Sequence, residues 1–336
     1  SSAASDVYKR QCVHPANELL GDAGLCPLVK ATLGCSILGS DPLIEALDMV
    51  VSPATCDGKM KLTEMLEDFT EVLTLNLPRV KTGDTTSHLW FEEIKFLKRR
   101  MEELTGRRVS RRRLIRAVKR WNEAQKAWSA LQNLRKMGDP PILGQEAMVV
   151  AQAVMNDEVE RWTRKVWELA EELKGSGRAG EEGAARIMLA GSPTIYPNFK
   201  IPRIIEESGG IIVVDELCSG SRILSDPVPL DETSEREVLL ALAERYFYPC
   251  TCPCFTPNDE RVRRMLETVE VFSVEGVIFH TLRGCHLNSI EAAKIERALR
   301  RRGIPMIKLE SEYDMGDEEQ VRTRVEAFVE MLKARR

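Results

Sequence analysis

Three thiols stand at every second position in YPCTCPCFTPND, residues 248–259, where Cys250, Cys252 and Cys254 are interleaved with Pro249, Pro253 and Pro257. An extended backbone turns alternate side chains to the same side. It does not supply the Cβ separation and dihedral that a disulfide needs, so the spacing suits shared ligation better than neighbour-to-neighbour bridging. The prolines stiffen the loop that carries the thiols. Three further cysteines share one kind of placement: Cys56 follows DMVVSPAT, Cys218 follows GIIVVDEL and Cys285 follows GVIFHTLRG. Each stands at the carboxyl end of an expected strand, where open α/β sheets form their ligand crevices. Each is also followed by small or polar residues that can open a turn or helix, in CDGKMK, CSGSR and CHLNS. A helix start offers N–H donors and a positive partial charge to an anionic thiolate-metal group, and such donors tune a cluster's potential. Cys26, in LCPLVK, is again held beside proline.

Any one of these cysteines, taken alone, reads as an inert buried residue, because free cysteine is among the most buried types. Their joint placement is what points to ligation. Nine cysteines, an odd number, with no secretory pattern, imply a reduced, cytoplasmic chain. The spacing C-x₂-C is absent, which disfavours zinc. Soft thiolates without such knuckles, on an α/β scaffold of redox type, favour an iron-sulfur centre. Spacing does not fix its nuclearity.

The elements that must position these residues alternate. Short apolar or β-branched runs, MVVSPAT and EVLTLNLP, flank the helical KMKLTEMLEDF, and a helix is also expected over PLIEALD. From residue 85 to 174 no strand-like run occurs, only long helical patterns, with Ser110 as an N-cap and Gly138 to Pro141 as a stop. The alternation restarts with RIMLAG, KIPRIIEESG and GIIVVDEL. It continues through a helix near 232–246, the strand VEGVIFHTL, the helix SIEAAKIERALRRRG, the strand PMIKLE and a closing helix. This is the pattern of a doubly wound sheet. The expected organisation is an α/β domain over 12–84, a helical segment and linker over 85–180, and a second α/β domain over 181–336. Both α/β domains are expected to be doubly wound, of Rossmann or flavodoxin-like type.

A chain of 336 residues with 43% apolar residues can bury two cores. Its net charge of −4 offers no broad positive field for nucleic acid or anionic lipid. No apolar run is long enough to cross a bilayer. SSAASDVYKRQ resembles translated adapter sequence, so residues 1–11 are set aside as artefactual or disordered and the natural N-terminus is expected to be missing. Gly175, Gly177 and Gly180 match G-x-G-x-x-G, but they leave a helix and precede a strand, the reverse of a dinucleotide site, and read as a linker. Arg107, Arg108, Arg111, Arg112 and Arg113 read first as a solvated helix face and next as a patch for an acidic partner protein.

LCPLVK, ATCDGKMK, DELCSGSR, CPCFTPND and RGCHLNS, in that order from about Leu25 to the C-terminus, resemble the signature segments of the 2-hydroxyacyl-CoA dehydratase superfamily. That superfamily includes benzoyl-CoA reductase subunits, and the likeness is nearest to its double-cubane-cluster protein branch. Dehydratase-type subunits bring three cysteines to one 4Fe-4S cluster, whereas double-cubane members supply six to two cubanes joined by a sulfide, an 8Fe-9S centre. The resemblance implies ligands at Cys26, Cys56, Cys218, Cys252, Cys254 and Cys285, with the cluster in an interdomain cleft. Cys12, Cys35 and Cys250 fall outside the pattern, the last on the strength of the anchor at Pro257, Asn258 and Asp259. Family members carry a first strand before the segment matching Leu25, so the N-terminal sheet is expected to be truncated, with an exposed edge.

The resemblance also implies an anaerobic, homodimeric reductase of a small unsaturated or nitrogenous molecule. Its electrons would come from a separate ATP-hydrolysing iron-sulfur activator; the chain itself has no G-x-x-x-x-G-K-[ST] loop. The alternatives are a 4Fe-4S subunit of a 2-hydroxyacyl-CoA dehydratase, a lyase working as a heterodimer, and a non-catalytic electron store. Proton delivery falls first to His286, beside Cys285, with His280, Asp57 and Glu216 as further candidates. Tyr196 and Arg222 are weaker pocket candidates.

Overall fold

A computed structural model of the chain describes residues 12–21, 24–39, 46–230 and 234–336. They form two compact units whose sequences interleave. One takes the chain up to Arg116 together with Val228–Asn258 and Leu282–Leu287; the other takes Ala117–Pro227, Asp259–Thr281 and Asn288–Arg336. Contiguous domains over 12–84 and 181–336 were the expectation from the alternating pattern. Val228–Asn258 joins the first unit because its helix packs there through Trp90 and Phe247.

The first unit is built on β1 (Val50–Pro53) and β2 (Val72–Leu75), parallel in the register Val50 to Val72 through Pro53 to Leu75. The helix α3 (Asp57–Leu66) makes the crossover that parallel strands require. One face, through Leu73 and Leu75, meets α4 (Asp84–Thr105) and α9 (Glu235–Phe247) in a core holding Trp90, Phe91, Leu239, Phe247 and Phe255. Trp90 donates from its indole to the Ala243 carbonyl at 2.9 Å and stacks on Phe247, so α9 is drawn onto α4. A capping box starts α9: Ser234 Oγ accepts from the Glu237 N–H, and the Glu237 carboxylate accepts from the Ser234 N–H. The other face, through Val50 and Val72, packs on α3, on α2 (Pro27–Leu38) and on α1, residues 12–20. Cys12 and Cys35 are both buried and joined as a disulfide, which corrects the expectation that every thiol is reduced. Gly34 allows it, since any Cβ there would overlap the Cys12 backbone.

The second unit holds the sheet β4-β3-β5-β6, with β3 (Ala185–Gly191) between and parallel to β4 (Gly210–Glu216) and β5 (Gly276–Leu282), and β6 (Met306–Ser311) outermost. Every residue of β4 and β5 is buried, as their unbroken apolar runs require of strands covered on both faces. α8 (Lys200–Glu207) and α12 (Glu318–Ala334) cover one face through Ile201, Ile204, Val325 and Phe328. α10 (Asp259–Val271) and α11 (His286–Arg301) cover the other through Met265, Val269, Ala292 and Ile295. This is doubly wound topology, with β3 and β5 meeting where the strand order reverses. α10 has no counterpart in the sequence reading. The long helical segment is present as α4, α5 (Arg111–Arg135), α6 (Gly144–Ala153) and α7 (Val159–Leu173). The last three build a separate core around Trp128, Leu131 and Trp162.

The helix expected over PLIEALD lies largely outside the described residues, as do residues 1–11; 46–48 form a turn and bend. Among the described residues no helix is long and apolar enough to cross a membrane.

Candidate metal centre

Three of the sequence-selected cysteines stand at helix starts in the first unit. Cys26 is the N-cap of α2, with Pro27 at the first helical position, and its carbonyl already accepts from Val29 and Lys30. Proline there forfeits only an N–H that the helix would leave unpaired. Cys56, extended at φ −146°, is the N-cap of α3, three residues after β1 ends and one after Thr55. Cys285 immediately precedes α11. Close backbone packing brings the three segments together. Gly284 sits at φ +75°, and a Cβ on it would lie 2.5 Å from the Gly24 carbonyl oxygen and 3.2 Å from the Cys26 nitrogen. Gly58, in the first turn of α3, abuts Leu25.

The electrostatics reflect this convergence. Burial pushes the Cys26 thiol up from its ordinary value, and the neighbouring thiols of Cys285 and Cys56 add to the rise; the N–H groups of Val29 and Leu28 pull the other way. Crowded thiols with N–H donors aimed at them resist becoming anions together unless a cation joins them.

The second thiol group is the loop over 248–258, also in the first unit. Phe255 anchors it edge-on against Phe247, with centroids 5.6 Å apart, and Asn258 donates to the carbonyls of Cys252 and Thr251. Cys254 is buried at 4% exposure. Hydrogen bonding with Cys252, burial, and the proximity of Cys252 and Cys250 all raise its thiol, while Arg79 favours the thiolate. Cys250, set aside on sequence, therefore lies in the same group as its two neighbours. Cys218 belongs to the second unit, after β4, and is exposed.

The other named side chains have structural places. Glu216 is buried and paired with Arg261 at 2.8 Å and Arg222 at 3.4 Å. His280 is buried in the second unit, its Nε2 2.7 Å from Ser311 Oγ, and burial and then the Lys200 charge lower its pKa to about 3. It is a neutral core histidine. His286 and Asp57 are exposed in the first turns of α11 and α3, and Tyr196 is exposed.

Among the described residues, no group of three or more His, Cys, Asp or Glu side chains is placed to hold a single metal ion. A cubane presents separate irons to separate thiolates, so its ligands stand further apart than those of one ion. Thiols at three convergent helix starts fit such a group in donor type and in local charge.

The profile of 2-hydroxyglutaryl-CoA dehydratase, D-component, matches residues 14–332. The chain belongs to this dehydratase family. YjiM of Escherichia coli (strain K12), which bears the provisional name of a dehydratase subunit, is 32% identical over 320 residues, 92% of this chain and 80% of its own length. The beta subunit of (R)-2-hydroxyglutaryl-CoA dehydratase from Acidaminococcus fermentans is 22% identical, covering 87% of this chain and 78% of that one. A subunit of the benzoyl-CoA reductase of Thauera aromatica is 21% identical, with 92% and 80% covered. The superfamily resemblance carried by the five cysteine segments holds across nearly the whole chain.

Proposed function

We propose that this dehydratase-family chain is an iron-sulfur protein of the double-cubane type, which reduces a small molecule with electrons delivered by a separate ATP-hydrolysing activator. The observation that carries the reading is the presence of two thiol groups in one chain: Cys26, Cys56 and Cys285 at helix starts, and Cys252 with Cys254 on the proline-stiffened loop. These five, with Cys218 as the sixth thiol that the family resemblance implies, match in number the ligands of an 8Fe-9S centre. When bound, such a centre supplies one-electron chemistry at very low potential. The chain's own residues hold it and shape its surroundings. The N–H groups at the start of α2 favour negative charge on sulfur, Phe255 and Phe247 keep water from one side of the thiol loop, and His286, exposed beside Cys285, is placed to exchange a proton with solvent.

A second reading, a 4Fe-4S subunit of a heterodimeric 2-hydroxyacyl-CoA dehydratase, draws support from relatives named as beta subunits of such enzymes. Iron and acid-labile sulfide counted after anaerobic loading separate the two, at about eight iron atoms per chain against about four. Activator-driven turnover of a 2-hydroxyacyl-CoA thioester at four irons per chain would favour the lyase. Loading at about eight without such turnover favours the reductase, and a chain that takes up neither iron nor sulfide refutes both.

A further inference from the structure

The segment after β2, residues 77–83, brings two cations to the thiols. The Arg79 guanidinium donates through Nη1 to the carbonyl of Thr55, the residue before Cys56, at 2.7 Å. Its backbone carbonyl accepts from the N–H of Thr256, two residues past Cys254, at 2.9 Å. Lys81 donates to the carbonyls of Tyr248 and Cys250 and lies 4.2 Å from the centre of the Phe255 ring. One short stretch therefore ties both ends of the thiol loop and, through Arg79, the start of α3.

Arg79 is half-buried, and among the described residues no carboxylate pairs with it. A guanidinium cannot shed its proton, so in a partly desolvated place its charge calls for an anion. Its two contacts fall one residue before Cys56 and two residues after Cys254. We propose that Arg79 is a positioning residue for the metal group, holding the Cys56 and Cys252–Cys254 segments in fixed register and offsetting the negative charge of their thiolates. The inference rests on the iron-sulfur reading above.

The full chain and the variants Arg79→Met and Arg79→Lys, each loaded anaerobically with iron and sulfide, provide the test. Iron per chain, the midpoint potential from a dye-mediated optical titration, and the melting temperature of the metal-free protein are measured. Loss of the cation disfavours the reduced, more negative state. Arg79→Met is expected to lower the reduced-to-oxidised ratio at a fixed potential about tenfold, or about 59 mV for a one-electron couple. Arg79→Lys keeps the charge and restores most of that shift, which a purely structural role would not produce. Equal midpoints in all three proteins, with normal iron, overturn the proposal and leave the iron-sulfur reading standing. If Arg79→Met does not fold or load, wild-type loading and midpoint in Arg79→Lys support the proposal, and failure of Arg79→Lys as well overturns it. An original chain that binds no iron removes the underlying reading and this inference together.

Discussion

Replacing Gly284 with alanine tests whether the Cys285 segment is held against Cys26 by close backbone contact. At φ +75° an L residue costs about 1–2 kcal/mol. The new Cβ would also lie 2.5 Å from the Gly24 carbonyl oxygen, 3.1 Å from the Leu25 carbonyl carbon and 3.2 Å from the Cys26 nitrogen. All three are backbone atoms, so no side chain can rotate aside. Overpacking of this kind adds about 1–3 kcal/mol, for a sum of roughly 2–5 kcal/mol. Gly106, in the same unit at φ +64° with nothing within 4 Å of its Cβ position, is the control that carries the backbone cost alone. Urea unfolding of the metal-free proteins and iron uptake after anaerobic loading are the assays. Gly284→Ala should unfold at lower urea than Gly106→Ala, by an excess of about 1–3 kcal/mol, and should bind less iron. Equal midpoints and equal iron in the two variants would refute the reasoning.

Three further outcomes are expected. Arg261 is fully buried and bound to Glu216, Glu291 and Asn288; Arg261→Met removes the buried cation that Glu216 and Glu291 share and should cost about 3–5 kcal/mol in urea unfolding. His280 has a folded pKa of about 3, below its unfolded value of about 6.5, so the unfolded chain takes up a proton that the native state refuses. Its contribution is flat above pH 6.5, and stability falls as pH drops from about 6.5 toward 3, by at most about 1.4 kcal/mol per pH unit; His280→Gln should shrink the difference in urea midpoint between pH 7 and pH 5. Cys252→Ser and Cys254→Ser should each lower iron per chain while Cys250→Ser leaves it unchanged, and metal analysis showing a loss for Cys250→Ser would move that thiol into the ligand set.

The second unit's strands were legible because they are buried on both faces: GIIVVDEL and VEGVIFHTL can form little else between helices of 3.6-residue period. The helices over 85–174 were legible for the same reason of period. The cysteines at helix starts could be read from strand-then-small-residue order, and Cys26, Cys56 and Cys285 do occupy such starts. Partner choice was not legible. The stripe on α9 says that a face is buried but not that it lies on α4, which is decided by Trp90 and Phe247 far apart in sequence. α10 was missed because DERVRRMLETVEV directly follows a proline-rich loop that dominates its neighbourhood. The Cys12–Cys35 pairing depends on a helix approach set by Gly34, and the contacts of Arg79 with Thr55 and Thr256 depend on how two loops meet. Neither leaves a local sequence pattern.

Iron-edge anomalous diffraction from crystals of the full chain, purified and grown without oxygen, tests the central claim most directly. Iron bound to the sulfurs of Cys26, Cys56 and Cys285, with further iron at Cys252 and Cys254, is the predicted result. Crystals of ordered, fully loaded protein whose iron lies away from all five sulfurs would contradict it.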